Sequence, residues 1–119
     1  MRESTEESVR KVIFSDEFKG YLDGLDTKIK DKYAYVIHII QTKYVVSEKF
    51  IKKLSPYELY EVRVSVGTNE YRTILVAVDA SNFMESKNVV FLNSFLKKST
   101  KQYKSEIKKA FETIENMED

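Results

Sequence analysis

Leu59-Tyr60-Glu61-Val62-Arg63-Val64-Ser65-Val66-Gly67-Thr68-Asn69-Glu70-Tyr71-Arg72-Thr73-Ile74-Leu75-Val76-Ala77-Val78 decides the fold class. Tyr60, Val62, Val64 and Val66 alternate with Glu61, Arg63 and Ser65. That is the period of a strand with one buried face and one polar face. Gly67-Thr68-Asn69-Glu70 reads as a short hairpin loop. Tyr71 to Val78 is apolar on both faces apart from Arg72 and Thr73, as in a central strand. With Val66 and Tyr71 as loop flanks, Ser65 falls opposite Arg72, and Arg63 and Arg72 approach diagonally.

The pattern extends outward from this hairpin. Asp79-Ala80-Ser81-Asn82 turns the chain, and Asn88 to Phe95 is a third β-prone run. After a basic linker, Ile107, Ala110, Phe111, Ile114 and Met117 mark an amphipathic C-terminal helix. Upstream, residues 1–7 are polar and expected to fray, and Val9 to Phe14 is β-prone. Ser15 can cap a helix with Asp16 and Glu17 in its first turn, and Gly24 ends it. Asp26 is a second cap candidate, followed by a stripe of Ile29, Tyr33, Val36, Ile37 and Ile40. The two helices form an αα-hairpin, and residues 45–56, which contain Pro56, form a connector. Residues 1–119 are therefore expected to be one α+β domain. An N-terminal strand and an α-hairpin pack on an antiparallel sheet, with a C-terminal helix.

Composition bounds the chemistry. With 119 residues, 42% hydrophobic and 33% charged, the chain can bury a core of its own. No cysteine is present, which removes disulfides, thiolate metal sites and thiol nucleophiles. A single histidine removes a His-based metal cluster and a two-histidine acid–base pair. No apolar run approaches a membrane span and no signal-like segment opens the chain, so a soluble cytoplasmic protein is expected. Net charge is only +1, but it is segregated. Residues 1–26 hold seven carboxylates against four cations, whereas residues 97–109 hold six lysines against one glutamate. A local basic surface remains open.

The candidate residues each have two readings. His38 lies off the apolar stripe and is a surface histidine or a lone acid–base group. Arg63 and Arg72 on one exposed sheet face suit a phosphate, or else form surface pairs with Glu61 as neighbour. Phe95, Lys97 and Lys98 can stack a base and hold its phosphate, or form a solvated sheet edge. Lys101, Lys104, Lys108 and Lys109 read as helix decoration. There is no phosphate loop, no carboxylate pair at catalytic spacing and no cofactor fingerprint. Spacing singles out none of the eight tyrosines as a base.

Leu59-Tyr60-Glu61-Val62-Arg63-Val64 resembles the L-[YW]-E-[LV]-R segment of HigB-like toxins, the phage-derived branch of the RelE/ParE superfamily. Tyr71-Arg72 matches the start of their next strand. Phe91-Leu92-Asn93-Ser94-Phe95-Leu96-Lys97-Lys98 resembles L-L-[HN]-G-F-x-K-K, and Lys104-Ser105-Glu106-Ile107 with Ala110 resembles K-x-E-I-x-x-A. Phe50-Ile51-Lys52-Lys53-Leu54 resembles F-x-K-x-L. The order and spacing of these motifs carry the resemblance, which spans about residues 9–115. Ser94 stands where glycine is common, Gln102-Tyr103 where Thr-Pro is common, and Thr100 where glutamine is frequent.

The resemblance implies the toxin of a type II toxin–antitoxin pair, a ribosome-dependent mRNA endonuclease that blocks translation. Its partners would be ribosome, mRNA and a helix-turn-helix antitoxin, with DNA reached only through the antitoxin complex and no membrane involved. Asp23 in the acidic N-terminal region and the His38 helix face offer a candidate antitoxin docking surface. No cofactor or metal is implied, because the RNA 2′-hydroxyl can attack its own phosphate. The protein then has to position that attack and stabilise the extra negative charge. On the resemblance, Arg63, Arg72, Lys97 and Lys98 are catalytic. Phe95, Asn93, Lys52, Lys53 and Lys101 contact RNA, Phe95 by stacking and Lys52 and Lys53 by docking on ribosomal RNA. The general base is unassigned, since a salt-bridged Glu61 would be a poor one. A gyrase-inhibiting toxin like the ParE relatives, or a decayed relative that only binds antitoxin, are the other readings.

Overall fold

The computed structural model describes residues 8–117, so the expected fraying of residues 1–7 lies outside it. The elements are β1 (Lys11–Phe14), α1 (Asp16–Asp23), α2 (Thr27–Thr42), β2 (Ile51–Lys53), β3 (Tyr60–Val66), β4 (Asn69–Ala77), β5 (Asn88–Leu96) and α3 (Gln102–Met117). The strands form one sheet in the order β1-β5-β4-β3-β2. β1 runs parallel to β5, and the remaining pairs are antiparallel. The expected α+β architecture is present, with three layers: the α1–α2 hairpin, the sheet, and α3 on the opposite face.

Local chemistry accounts for the ends of the elements. The Ser15 hydroxyl accepts from the Phe18 amide and donates to the Leu92 carbonyl, so one side chain caps α1 and ties it to β5. Gly24 caps the other end of α1, and its amide reaches the carbonyls of Tyr21 and Leu22. Asp26 occupies the N-cap of α2 but makes no side-chain capping bond.

Four expectations are corrected. The β3–β4 loop is two residues long, because Val66 pairs with Asn69 and Ser65 with Glu70. Gly67 takes φ 61° at the first central position, which a two-residue hairpin turn favours. Arg63 consequently lies directly opposite Arg72, not diagonal to it. Second, the 45–56 connector contains β2, whose pairing with β3 reads Ile51 with Val62 and Lys52 with Glu61. Third, the N-terminal strand starts at Lys11 because Arg10 turns inward. Fourth, α3 starts at Gln102, earlier than its apolar stripe. The Gln102 amide accepts from the amides of Lys98 and Ser99 and donates to the Leu96 carbonyl, which closes the linker.

The sheet is covered on both faces. Phe18, Tyr33, Val36 and Ile40 of the hairpin pack on Val62, Val64, Leu75 and Phe91. The Phe18 ring lies 4.8 Å from Phe14 and 5.0 Å from Phe91. On the other face Leu59, Ile74, Val90, Leu92 and Phe95 pack under Ala110, with Tyr103, Ile107 and Ile114 of α3 alongside. Each large side chain buried this way contributes about 1.5–3 kcal/mol. Arg10 is 2% exposed and donates to five backbone carbonyls, those of Phe83, Ile40, Lys43, Tyr44 and Met84. Its guanidinium also sits 4.0 Å over the Phe83 ring. It therefore pins the start of β1 to the end of α2 and to the loop before β5.

Candidate functional site

Strand alternation puts Glu61, Arg63 and Ser65 of β3, with Glu70 and Arg72 of β4, on the face that α3 covers. Glu61 is the hub. Its carboxylate accepts from Arg63 Nε at 2.9 Å and from the Tyr103 hydroxyl at 2.5 Å. Arg72 Nε lies 3.6 Å from Glu61 Oε1, close enough for an ion pair but beyond hydrogen-bond reach. Arg72 Nη1 instead donates to Glu70 Oε1 at 3.2 Å and to the Tyr71 carbonyl at 3.1 Å. Ser65 donates to the same Glu70 oxygen. This hydroxyl, ahead of the Arg72 guanidinium, holds the Glu70 carboxyl below the usual glutamate range.

The expected exposed face is thus corrected. Glu61 is 3% and Arg72 5% exposed, because Phe95 pairs with Arg72 across β4–β5 and the first turn of α3 lies over both. Arg63 keeps a partly exposed side chain, and its Nη1 reaches the Glu48 carbonyl at 3.3 Å. Burial, followed by the bond to Glu61, pushes the Tyr103 hydroxyl above the ordinary tyrosine range, so it stays protonated at neutral pH.

The remaining predicted residues divide by depth. Lys97 is half-buried, with its ammonium 5.9 Å from the Tyr103 ring and its amide bonded to the Glu70 carbonyl. Lys98 and Lys101 are exposed on the segment from β5 into α3. Lys52 is exposed opposite Glu61, whereas Lys53 pairs with Tyr60 in register, on the other face, and lies 3.8 Å from Glu58. Phe95 and Asn93 are not at the surface. The Phe95 ring meets Tyr103 edge-on at 5.4 Å beneath α3, so no face of it is free for a base to stack on. Asn93 is buried because β5 bulges: Leu92 and Asn93 together oppose Ile74. Its amide donates to the Glu106 carbonyl and carboxylate, which fastens α3 to the sheet. His38 is exposed on α2, as expected.

The structure thus gathers Arg63, Arg72 and Lys97 around Glu61, Glu70 and Tyr103. Sequence reasoning missed Tyr103, Glu70 and Glu106. Glu70 was legible in principle, since a two-residue turn puts it two positions before Arg72 on the same strand face. Nothing in the spacing marks Tyr103, whose place depends on where α3 lands. Chemically, the cluster offers cations for phosphate oxygens, with the Tyr103 phenol committed to Glu61. Among the described residues no group of three or more His, Cys, Asp or Glu side chains could hold a metal ion.

Comparison with known proteins bears on the fold and the family. No curated protein matches the chain. The fold is similar to that of a double arginine-to-alanine mutant of E. coli toxin RelE in the free state. That likeness has a TM-score of 0.59 at 11% identity, over 84% of this chain and 96% of the other. Residues 20–115 match the family described as Phage derived protein Gp49-like (DUF891). That match runs from within α1 to the last turn of α3 and covers most of the chain, so the chain belongs to the Gp49-like family of phage-derived proteins.

Proposed function

We propose that this chain is the toxin of a toxin–antitoxin pair, a HigB-like endoribonuclease that cuts mRNA on the ribosome. The observation that carries this reading is the pairing of Arg63 directly opposite Arg72 on adjacent strands, with Lys97 beside them. The RelE-like fold and the phage-derived family support it. In the reaction, the RNA 2′-oxygen attacks the adjacent phosphorus as its proton leaves. The bond from phosphorus to the 5′-oxygen breaks, the 5′-oxygen takes up a proton, and a 2′,3′-cyclic phosphate remains.

Arg63, Lys97 and Lys98 contact the phosphates and stabilise the charge that builds on their oxygens. Arg72 is a positioning residue that acts from beneath. It offsets part of the charge of Glu61 and Glu70, while Arg63, bonded through Nε to Glu61 and through Nη1 to the Glu48 carbonyl, keeps a partly exposed guanidinium that can meet an anion from the solvent side. Tyr103, held protonated and donating its hydroxyl proton to Glu61, is a positioning residue that fixes that carboxylate and cannot serve as the base. Lys52 and Lys101 extend the basic rim, whereas Lys53, on the other face and beside Glu58, lies outside it. The partners are then mRNA, the ribosome and a helix-turn-helix antitoxin, with the reaction in the cytoplasm. In the described chain no helix is long and apolar enough to cross a membrane.

Burial of Arg72 between two carboxylates favours a second reading, in which the cluster only holds the fold. The toxin would then act on a protein such as gyrase, or only bind antitoxin. Controlled expression with early mapping of mRNA 5′ ends separates these readings. Wild type should create new ends within translated frames. Arg63→Ala should reduce them about a hundredfold at unchanged solubility, the usual effect of losing one charge-stabilising donor. Growth arrest with intact mRNA would overturn the endonuclease reading.

A further inference from the structure

A second surface carries aromatic rings and cations outside the Arg63 cluster. Tyr35 projects from the outer face of α2, 53% exposed, on the side away from the buried Tyr33, Val36 and Ile40. The Lys32 ammonium lies 5.1 Å from the Tyr35 ring centroid. The Phe50 ring meets Tyr35 edge-on at 6.1 Å, and the Lys49 ammonium lies 5.6 Å from the Phe50 ring. Phe50 is anchored from beneath by the core. Lys28 stands one turn before Lys32 and lines, with Asp31 and Tyr35, a groove that runs to Ser65, Val66 and Gly67 at the β3–β4 turn. The patch is physically joined to the candidate centre: the Arg63 amide donates to the Phe50 carbonyl at 2.8 Å, and its guanidinium reaches the Glu48 carbonyl.

We infer that Tyr35, Phe50, Lys32 and Lys49 form a second RNA contact, a stacking platform for an unpaired segment lying outside the Arg63 centre. The inference rests on the endoribonuclease reading and extends it to a docking surface. Alternating rings and ammonium groups match the alternation of bases and phosphates along a single strand. Lys28, Lys32 and Lys49 outnumber Asp31 and Glu48, the carboxylates on the same segments. Two rings make too small an apolar patch for a stable protein interface, which needs roughly 800 Å² from each partner. Tyr35 and Lys32 sit on α2, and Phe50, in the turn just before β2, is held by its packing on the core, so stacking requires only that a base displace an ammonium from a ring face.

The test uses the full chain and a labelled single-stranded oligonucleotide with 2′-O-methyl groups, which cannot be cleaved by its own 2′-oxygen. Binding is followed by anisotropy across a salt series. Tyr35→Ala should weaken binding about tenfold, within the range for loss of one base stack. Its thermal midpoint should hold, because the ring is exposed and alanine favours helix. Lys32→Glu with Lys49→Glu should reduce the salt slope by about 1.4, roughly 0.7 for each lost phosphate contact on a single strand. The chain lacks tryptophan, so Tyr35→Trp introduces a single indole whose emission should be quenched on binding. If wild type binds and all three variants behave as wild type, with the indole unquenched, the platform is refuted while the Arg63 centre stands. If wild type does not bind, the platform is refuted and the cleavage reading is decided separately by the 5′-end mapping. Unchanged RNA binding with lost binding to a protein partner would also refute it, and would make the patch a protein contact.

Discussion

Replacing Glu61 by glutamine should destabilise the fold more than any other isosteric change on the sheet. The side chain is 3% exposed and keeps its shape in the variant, so no cavity is made. What changes is charge. Glu61 faces Arg63 Nε at 2.9 Å and Arg72 Nε at 3.6 Å, and it accepts from Tyr103. Breaking a buried ion pair by removing one partner costs about 3–5 kcal/mol. Two features reduce this here. The Arg63 side chain is 28% exposed and can recover hydration, and Arg72 retains Glu70. The expected loss is therefore about 2–3 kcal/mol, because part of the buried-pair penalty is relieved by water. Urea unfolding followed by circular dichroism measures it, provided the slope with denaturant is unchanged. Tyr103→Phe should be strongly non-additive with it, by roughly 1 kcal/mol or more, since the two side chains share one bond. A loss below about 0.5 kcal/mol, the level of an ordinary surface site, would refute Glu61 as the hub.

Other expectations follow from the same contacts. Arg10→Met should cost about 3 kcal/mol or more in urea unfolding, because several carbonyls at the end of α2 lose a charged donor. Ser15→Ala should cost about 1–2 kcal/mol by the same assay, since it removes a helix cap and a bond to β5 together. Alkali should destabilise the protein by way of its buried phenols. Burial raises Tyr33 and Tyr103 above the ordinary range and pushes Tyr21 up to about 12. A folded-state value raised above the unfolded one gives stability that is full below about pH 10 and lost as pH rises through the folded values. Tyrosinate absorbance read alongside unfolding should show these phenols ionising late, and early ionisation of all eight would contradict the burial.

Much of the fold was legible because its signals are local. The alternation in 60–66 and the Ser15 cap depend on neighbours in sequence, and the structure reproduces both. β2 escaped because three residues give no period, and its pairing with β3 is a tertiary fact. The hairpin register slipped because Asn69-Glu70 is polar at a sheet rim, where strand and loop look alike. At the site, Arg63 and Arg72 were legible as a pair on one face. The burial of Arg72, Phe95 and Asn93 was not, because it depends on where α3 docks. The apolar stripe of that helix says that it packs, but not on which strands. The β5 bulge, which turns Asn93 toward Glu106, leaves no mark in a sequence that simply reads as β-prone.

The most direct test of cleavage by the RNA's own 2′-hydroxyl is the chemistry of the cut ends. Purified protein would be incubated with translating ribosomes and an mRNA, and both new termini identified. The proposed mechanism predicts a 2′,3′-cyclic phosphate, or the 3′-phosphate it opens to, upstream and a 5′-hydroxyl downstream. A single 2′-deoxy substitution at the cut site should abolish that cut. A 5′-phosphate with a free 3′-hydroxyl, or cleavage that survives the 2′-deoxy substitution, would contradict it.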